Sequence, residues 1–349
     1  MLSVSIDASV LAAPSLCAPK EEIYSYVDTL LDWGRLLEED WISVCLTERC
    51  SEVLVEEGLF PLRPALAEVF AINGIMEFDA NTVAKAAERL LSLTPSFESM
   101  FRLRDVLYDS LETDPAIASL TMGQSMEAEL GRCVVIIAML RRCCFRSVYN
   151  HSLVLRRSPQ SGQILVRTVI HDVDHDREDL TNIPVHPDQL EGSVPTCGDF
   201  RGCIVSTDEA LLWRSSDDET GKRLAIRCAL VRSRLERGED PEWDSTPTFR
   251  FGKEFLEREA RICRDNSDEL VRRLLRSIVE TLEGSNLPDV HALRRGRGGN
   301  DPQRVRTKDK AKAWRRDIDH EYHLHFWECP DGIPEFGSVG PHNDFSLPE

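Results

Sequence analysis

Apolar and polar positions along the chain switch between a period of two and a period near 3.6, and the switches outline its elements. Leu2–Leu11 alternates and carries the β-branched residues Val4, Ile6 and Val10, which predicts a strand ending near Asp7-Ala8-Ser9. Ile23, Val27, Leu30, Leu31, Leu36 and Leu37 make one side of an amphipathic helix over 21–39. A second strand is expected over 41–46, followed by a helix over 47–57 that Gly58 and the Pro61/Pro64 pair stop. Further helices are expected over 80–93 and 97–111. The apolar run 131–142 reads as a buried helix or a strand. Two β-rich runs around Ser158-Pro159-Gln160-Ser161-Gly162 predict a hairpin within 152–170, and 201–206 is a short apolar run. An arginine-rich helix is expected over 224–235. The Pro, Gly and charged residues of 238–247 then read as a linker.

Beyond that linker the order is strand (248–251), helical hairpin (254–263 and 268–282), basic segment, then strands. Asp268 and Glu269 stand where a helix N-terminus favours acids, and Gly284 closes the helix. Between Tyr322 and Val339 two alternating runs flank Pro330-Asp331-Gly332, the pattern of a β-hairpin. A period of two puts His323, His325 and Trp327 on one face, and Tyr322, Leu324 and Phe326 on the other. The second set is expected to be core and the first a wet, ionisable surface. The expected organisation is therefore a mixed α/β domain over 1–237, a linker over 238–247 and a small α+β domain over 248–349.

Composition narrows the function. The chain has 349 residues, and its longest apolar run, Val134–Leu140, is far too short to span a bilayer, so no membrane partner and a cytoplasmic location are expected. The start reads as a strand and not as a signal peptide. Eleven cysteines are an odd number, and none forms a Cys-x-x-Cys pair, which favours reduced thiols over disulfides or a zinc site. The net charge of −18 is uneven, since residues 245–349 hold 18 Lys+Arg against 19 Asp+Glu. Within them, Arg294, Arg295, Arg297, Arg304, Arg306, Lys308, Lys310, Lys312, Arg315 and Arg316 face only Asp301 and Asp309 over 294–316. Such a strip fits a polyanion partner, or a charge contact with the acidic remainder. Four of the nine histidines, His320, His323, His325 and His342, follow it. An acidic run over 171–179 reads as a metal site or a solvated loop.

The stretch Arg316-Asp-Ile-Asp-His-Glu-Tyr-His-Leu-His-Phe326 resembles the Arg-x-Ile-x-x-Glu-His-Arg-Leu-Val-Tyr strand of the RelE/YoeB/ParE superfamily of small bacterial toxins. Val339-Gly340-Pro341-His342-Asn343-Asp344 is similar to their final strand and terminal His. Leu270–Leu282 with Leu293-Arg294-Arg295-Gly296 is similar to their second helix and basic loop. The resemblance covers 248–345. It implies a RelE-like fold that cleaves ribosome-bound messenger RNA without a cofactor, or inhibits gyrase for the ParE branch. The implied catalytic residues are His342 and His323, the latter standing where the toxins carry an Arg, with Arg315 or Arg316 supplying the missing charge. Arg294, Arg295, Arg297, Arg304, Arg306, Lys308, Lys310 and Lys312 would bind RNA. RNA or the ribosome, and an antitoxin or defence-system protein, are the implied partners.

Ser5-Ile6-Asp7-Ala8-Ser9-Val10-Leu11 resembles the opening strand of PIN-domain nucleases. The strand over 41–46 with Glu48 and Glu52 is similar to their second strand and acidic helix, and Cys203-Ile204-Val205-Ser206-Thr207-Asp208 to a late strand. That likeness implies Mg²⁺ or Mn²⁺ held by Asp7, Glu52 and Asp208, although the acid that these nucleases carry on the helix before the late strand has no clear counterpart (neither Asp188 nor Asp199 fits). Three functions are thus expected in competition. One is an RNA-cleaving effector of toxin–antitoxin or phage-defence type. The others are a non-enzymatic RNA-, ribosome- or protein-binding module, and a metal-dependent PIN-type nuclease whose C-terminal part binds RNA.

Overall fold

A computed structural model describes residues 2–143, 150–176, 187–295 and 301–349 of the chain. Among them are eleven strands and twelve α-helices, arranged with two mixed sheets in two compact units that divide between Thr207 and Asp208. No helix among the described residues is long and apolar enough to cross a membrane.

The first unit opens with β1 (Leu2–Ile6), all five residues buried. The strand is shorter than its alternation predicts, because Asp7 accepts a hydrogen bond from the Ser9 amide and caps a short helix, α1 (Ala8–Leu11). Helix α2 (Lys20–Leu36) buries Ile23, Val27, Leu30 and Leu36 as expected, together with Trp33, while Leu31 lies outside. Then come β2 (Ile42–Leu46), α3 (Cys50–Glu56), α4 (Arg63–Asn73) and α5 (Ala80–Leu93). Helix α4 is unforeseen, since Pro64 reads as a stop yet sits at the first helical turn, where its missing N–H costs nothing.

The helix expected over 97–111 is instead a short α6 (Phe97–Phe101), ended by Arg102 at φ 49°, and a long strand, β3 (Leu103–Asp114). Register shifts near Leu103, Leu107 and Asp109 break its alternation, so its apolar residues fall at helix-like spacing. Helix α7 (Gln124–Cys143) settles the apolar run as a helix, with every residue from Val134 to Leu140 buried. β4 (His151–Val154) and β5 (Gln163–His175) flank the expected turn but are not partners, because β6 (Asp188–Cys197) lies between them. The sheet order is β2-β1-β4-β6-β5-β3, with β2, β1, β4 and β6 parallel and the last two strands antiparallel. Residues 200–206 form α8 (Phe200–Ser206) and not a strand. Asp199 caps it through the Gly202 amide, and Cys203 and Ile204 are its buried side. Of the acidic run, Asp174 and Asp176 pair with Arg104, at 4.0 and 2.7 Å, on the surface. Glu178 and Asp179 lie outside the described residues. Of the ten described cysteines, all but Cys17 are buried.

The second unit begins with α9 (Glu209–Ser215) and α10 (Glu219–Glu236). Its start lies upstream of the linker expected at 238–247. That segment has no helix or strand, but α10 holds it: the Arg227 guanidinium lies 4.1 Å from the centre of the Trp243 ring, and Arg234 donates to Ser245. Then follow β7 (Arg250–Phe251), α11 (Phe255–Asp265), α12 (Asp268–Glu283), β8 (Val290–Ala292), β9 (Lys312–Asp317), β10 (Tyr322–Glu328) and β11 (Pro334–Pro341). Gly284, at φ 63°, closes α12 as its position predicts, and Gly332 takes the left-handed corner of the β10–β11 turn. The sheet order is β7-β11-β10-β9-β8, antiparallel except that β7 runs parallel to β11. Helices α11 and α12 cover the side that carries Leu324 and Phe326. The opposite side, expected to be wet, is covered too: His323 and His325 are 1% exposed and Trp327 not at all.

Candidate functional site

Strand register assembles the site. In β10 and β9, His323 stands opposite Asp317, His325 opposite Arg315, and Trp327 opposite Ala313, all on one face. On β8, His291 stands opposite Arg315, and on β11, Ser338 stands opposite His325. One face of a five-stranded sheet therefore carries His291, Arg315, Asp317, His323, His325 and Ser338. The other face carries Arg316 opposite Leu324 and Trp314 opposite Phe326.

The His323 Nε2 atom lies 2.8 Å from Asp317 Oδ1, an ion-pair distance whose angle falls short of a full hydrogen bond. A carboxylate so placed favours the proton on Nε2 and leaves Nδ1 with its lone pair. That Nδ1 is buried with no hydrogen-bond partner. The His342 ring, on the exposed segment after β11, lies 4.7 Å from the His323 ring, centre to centre. Burial pushes the His323 pKa below its usual value; Asp317 opposes that shift, and Arg315 and His342 add to it. Asp317 also has its second oxygen 3.8 Å from His291 Nε2. Arg315 has its Nε buried without a partner.

His325 is held differently. Ser338 Oγ donates to the Ser346 carbonyl, so the 3.1 Å contact between His325 Nδ1 and Ser338 Oγ makes Nδ1 the donor. Burial, reinforced by His323, brings the His325 pKa down to about 4. His325 is neutral at physiological pH.

The other expected residues divide sharply. Arg316 is 1% exposed and turned to the helix face, where it donates to Glu280, the Asn286 carbonyl and the Ser285 carbonyl, so it is a strut and not part of the histidine face. Arg306 is equally buried and forks onto Asp309 and Glu335. It is not free to meet RNA. Arg304 is partly covered, 4.0 Å from Glu349 and 5.7 Å from the Trp327 ring centre. Arg294, Arg295, Lys308, Lys310 and Lys312 are exposed, and Arg297 lies outside the described residues. The +8 strip is thus a smaller exposed basic set with two arginines folded inward.

Asp7, Glu52 and Asp208 each have other engagements. Glu52 is on the surface, 3.1 Å from Arg49. Asp208 caps α9 through the Ala210 and Leu211 amides and pairs with Arg272 at 2.8 Å. Asp7 is 4% exposed at the C-terminal end of β1, where burial first, and the Glu129 charge as a lesser cause, raise its pKa to about 6. The acids gathered in that region are ones the sequence reading missed: Glu129 on α7, 2% exposed, and Glu98 on α6, 6% exposed. Arg132 already joins them, its Nη2 lying 2.8 Å from Glu129 and also donating to Glu98. A guanidinium therefore stands where the two carboxylates would share a cation, and these residues do not fit Mg²⁺ or Mn²⁺. Among the described residues, no group of three His, Cys, Asp or Glu is placed to hold a metal ion.

No family model, curated protein or solved structure matches the chain. The site must therefore be read from its own chemistry. A neutral, partnerless imidazole nitrogen backed by a carboxylate is a base. An exposed imidazole beside it can exchange a proton with water, and Arg315 on the same face can carry charge for an oxyanion.

Proposed function

We propose that the chain is an RNA-targeting effector of the toxin–antitoxin or phage-defence kind, which cleaves RNA at the His323–His342 pair of its C-terminal unit. The observation that carries this reading is the orphaned His323 Nδ1, with Asp317 at the other nitrogen and the His342 ring 4.7 Å away.

RNA brings its own nucleophile, so these groups suffice. His323 Nδ1 takes the proton of a 2′-hydroxyl as O2′ attacks the adjacent phosphorus. The P–O5′ bond breaks, and His342, protonated from water, gives its proton to O5′. The products are a 2′,3′-cyclic phosphate and a 5′-hydroxyl. Asp317 steadies the imidazolium formed on His323, and Arg315 meets the phosphorane oxygens. Exposed Arg294, Arg295, Lys308, Lys310 and Lys312 hold the flanking phosphates.

The toxin-like reading is supported by the order of elements: β7, the α11–α12 hairpin, then β8 to β11, with the first of these strands parallel to the last. Ribosome-bound message is the substrate and an antitoxin the partner that this likeness implies. One observation favours a second reading, RNA binding without cleavage: His323 is 1% exposed.

The test is cleavage of single-stranded RNA, with and without EDTA, by the wild-type chain, His323→Ala and His342→Ala. EDTA-resistant cleavage that falls by about 10²-fold or more in each variant is the expected result. Salt-sensitive binding without cleavage would put the second reading in its place. Cleavage abolished by EDTA and by Asp7→Asn would favour a metal-dependent nuclease in the first unit.

A further inference from the structure

The histidine face is covered by a segment of the same chain, and that segment is laid out like a strand of RNA. Residues 342–349 run along the three face residues of β10 in order. The His342 ring lies against His323, Ser346 and Asp344 lie by His325, and the Pro348 carbonyl accepts from Trp327 Nε1 at 3.0 Å. Leu347 is 1% exposed and buried in one cluster with Trp327, Ala311 and Ala313.

The charges match as well. Asp344 lies by His325; burial opposes its ionisation, but hydrogen bonds with Ser346 and the charge of Arg258 bring its pKa below the usual value. Glu349 lies 4.0 Å from Arg304. The Arg304 guanidinium lies 5.7 Å from the Trp327 ring centre. An indole bordered by a cation is what a nucleobase and its phosphate require. Here an aliphatic side chain takes the base position and carboxylates take the phosphate positions. Glycines make room for the segment: a Cβ on Gly337 would run into Leu347, and one on Gly340 would lie 3.1 Å from Asp344 Oδ2.

We propose that the Trp327–His325 face is a nucleotide-binding subsite for single-stranded RNA, and that residues 344–349 occupy it in cis as a stand-in for the RNA strand, while His342 keeps its place beside His323. The proposal rests on the RNA-directed reading of the site and accounts for the burial of His325 and Trp327. RNA binds only after the segment lifts, so apparent affinity is reduced by the fraction of time the face is open.

The full-length chain is compared with Leu347→Asp, which places a charge in the Trp327 cluster, and with Gly337→Ala, which crowds Leu347 by a single methyl. Two quantities are read: modification of His325 by diethyl pyrocarbonate, and affinity for a fluorescent single-stranded RNA at fixed salt. Both variants are expected to raise both quantities, by about tenfold for Leu347→Asp and less for Gly337→Ala. Unchanged modification in both variants would overturn the proposal, because the segment would then not lift. Faster modification with unchanged RNA affinity would overturn it too, because the face would be open and not bind RNA. Raised affinity with no cleavage by any of the three proteins would support the subsite and remove the cleavage reading alone.

Discussion

Replacing Arg306 with Met separates a folded-in arginine from an RNA-binding one. The Arg306 side chain is 1% exposed, with Nε 3.0 Å and Nη2 2.6 Å from Asp309, and Nη1 2.6 Å and Nη2 3.0 Å from Glu335. Its guanidinium lies 5.0 Å from the Trp327 ring centre. Methionine keeps most of the stem's packing and deletes the charge, leaving two carboxylates facing each other's field. Removing one partner of a buried pair costs about 3–5 kcal/mol, and the partial exposure of both acids argues for about 3. For a unit of this size, that lowers the melting temperature by about 10 °C. Lys308→Met, at an exposed position two residues away, should change stability by no more than about 0.5 kcal/mol. The RNA readout should invert: Lys308→Met flattens the slope of log affinity against log salt by about 1. Calorimetry and anisotropy titrations at several salt concentrations give both answers. An Arg306→Met protein that melts within about 2 °C of the wild type would refute the structural role. The same pair sets an acid limb. Arg306 holds the Asp309 carboxyl down at about 2, so this contribution is present above about pH 4 and is lost as pH falls toward 2. The limb should be missing in Arg306→Met.

Asp7→Asn should stabilise the first unit at pH 7, because an ionised carboxylate there, with its pKa raised to about 6, costs on the order of 3 kcal/mol. The unfolded chain loses that proton first, so the wild type should lose stability as pH rises from about 4 to 6, and the variant should not; denaturant melts across that range check the sign, and a destabilised variant at pH 7 would refute it. Asp317→Asn should slow RNA cleavage by about 10²-fold and move the acid limb of its pH–rate profile to lower pH, because Asp317 raises the His323 pKa. A slower enzyme with an unmoved profile would reduce Asp317 to a packing role.

Legibility in the sequence followed the length and regularity of each pattern. Helices α2, α5, α11 and α12 and the β10–β11 hairpin were readable because their apolar spacing runs unbroken and Gly284 and Gly332 punctuate it, whereas the continuous apolar run of α7 left helix and strand open. β3 was lost because its bulges imitate helical spacing, and α8 because three apolar residues in a row, Cys203 to Val205, hide the cap at Asp199. The histidines were found from period two alone. Their burial was not, because nothing local says that residues 342–349 fold back over them. Asp317 was missed for a related reason: its part in the site depends on β9 pairing with β10, and 312–316 reads first as a basic strip. Glu129 and Arg132 are an i,i+3 pair on α7, but Glu98 joins them only through tertiary packing, which no short-range spacing announces.

The most direct test of the account is the chemistry of the cut ends. RNA incubated with the full-length chain in EDTA should yield 2′,3′-cyclic phosphate and 5′-hydroxyl termini by mass spectrometry. The same oligonucleotide carrying 2′-O-methyl groups should stay whole, as should RNA incubated with His323→Ala. Termini with 3′-hydroxyl and 5′-phosphate, or cutting of the 2′-O-methyl strand, would mean that water and not the 2′-hydroxyl attacks, and would contradict the assignment of His323 and His342.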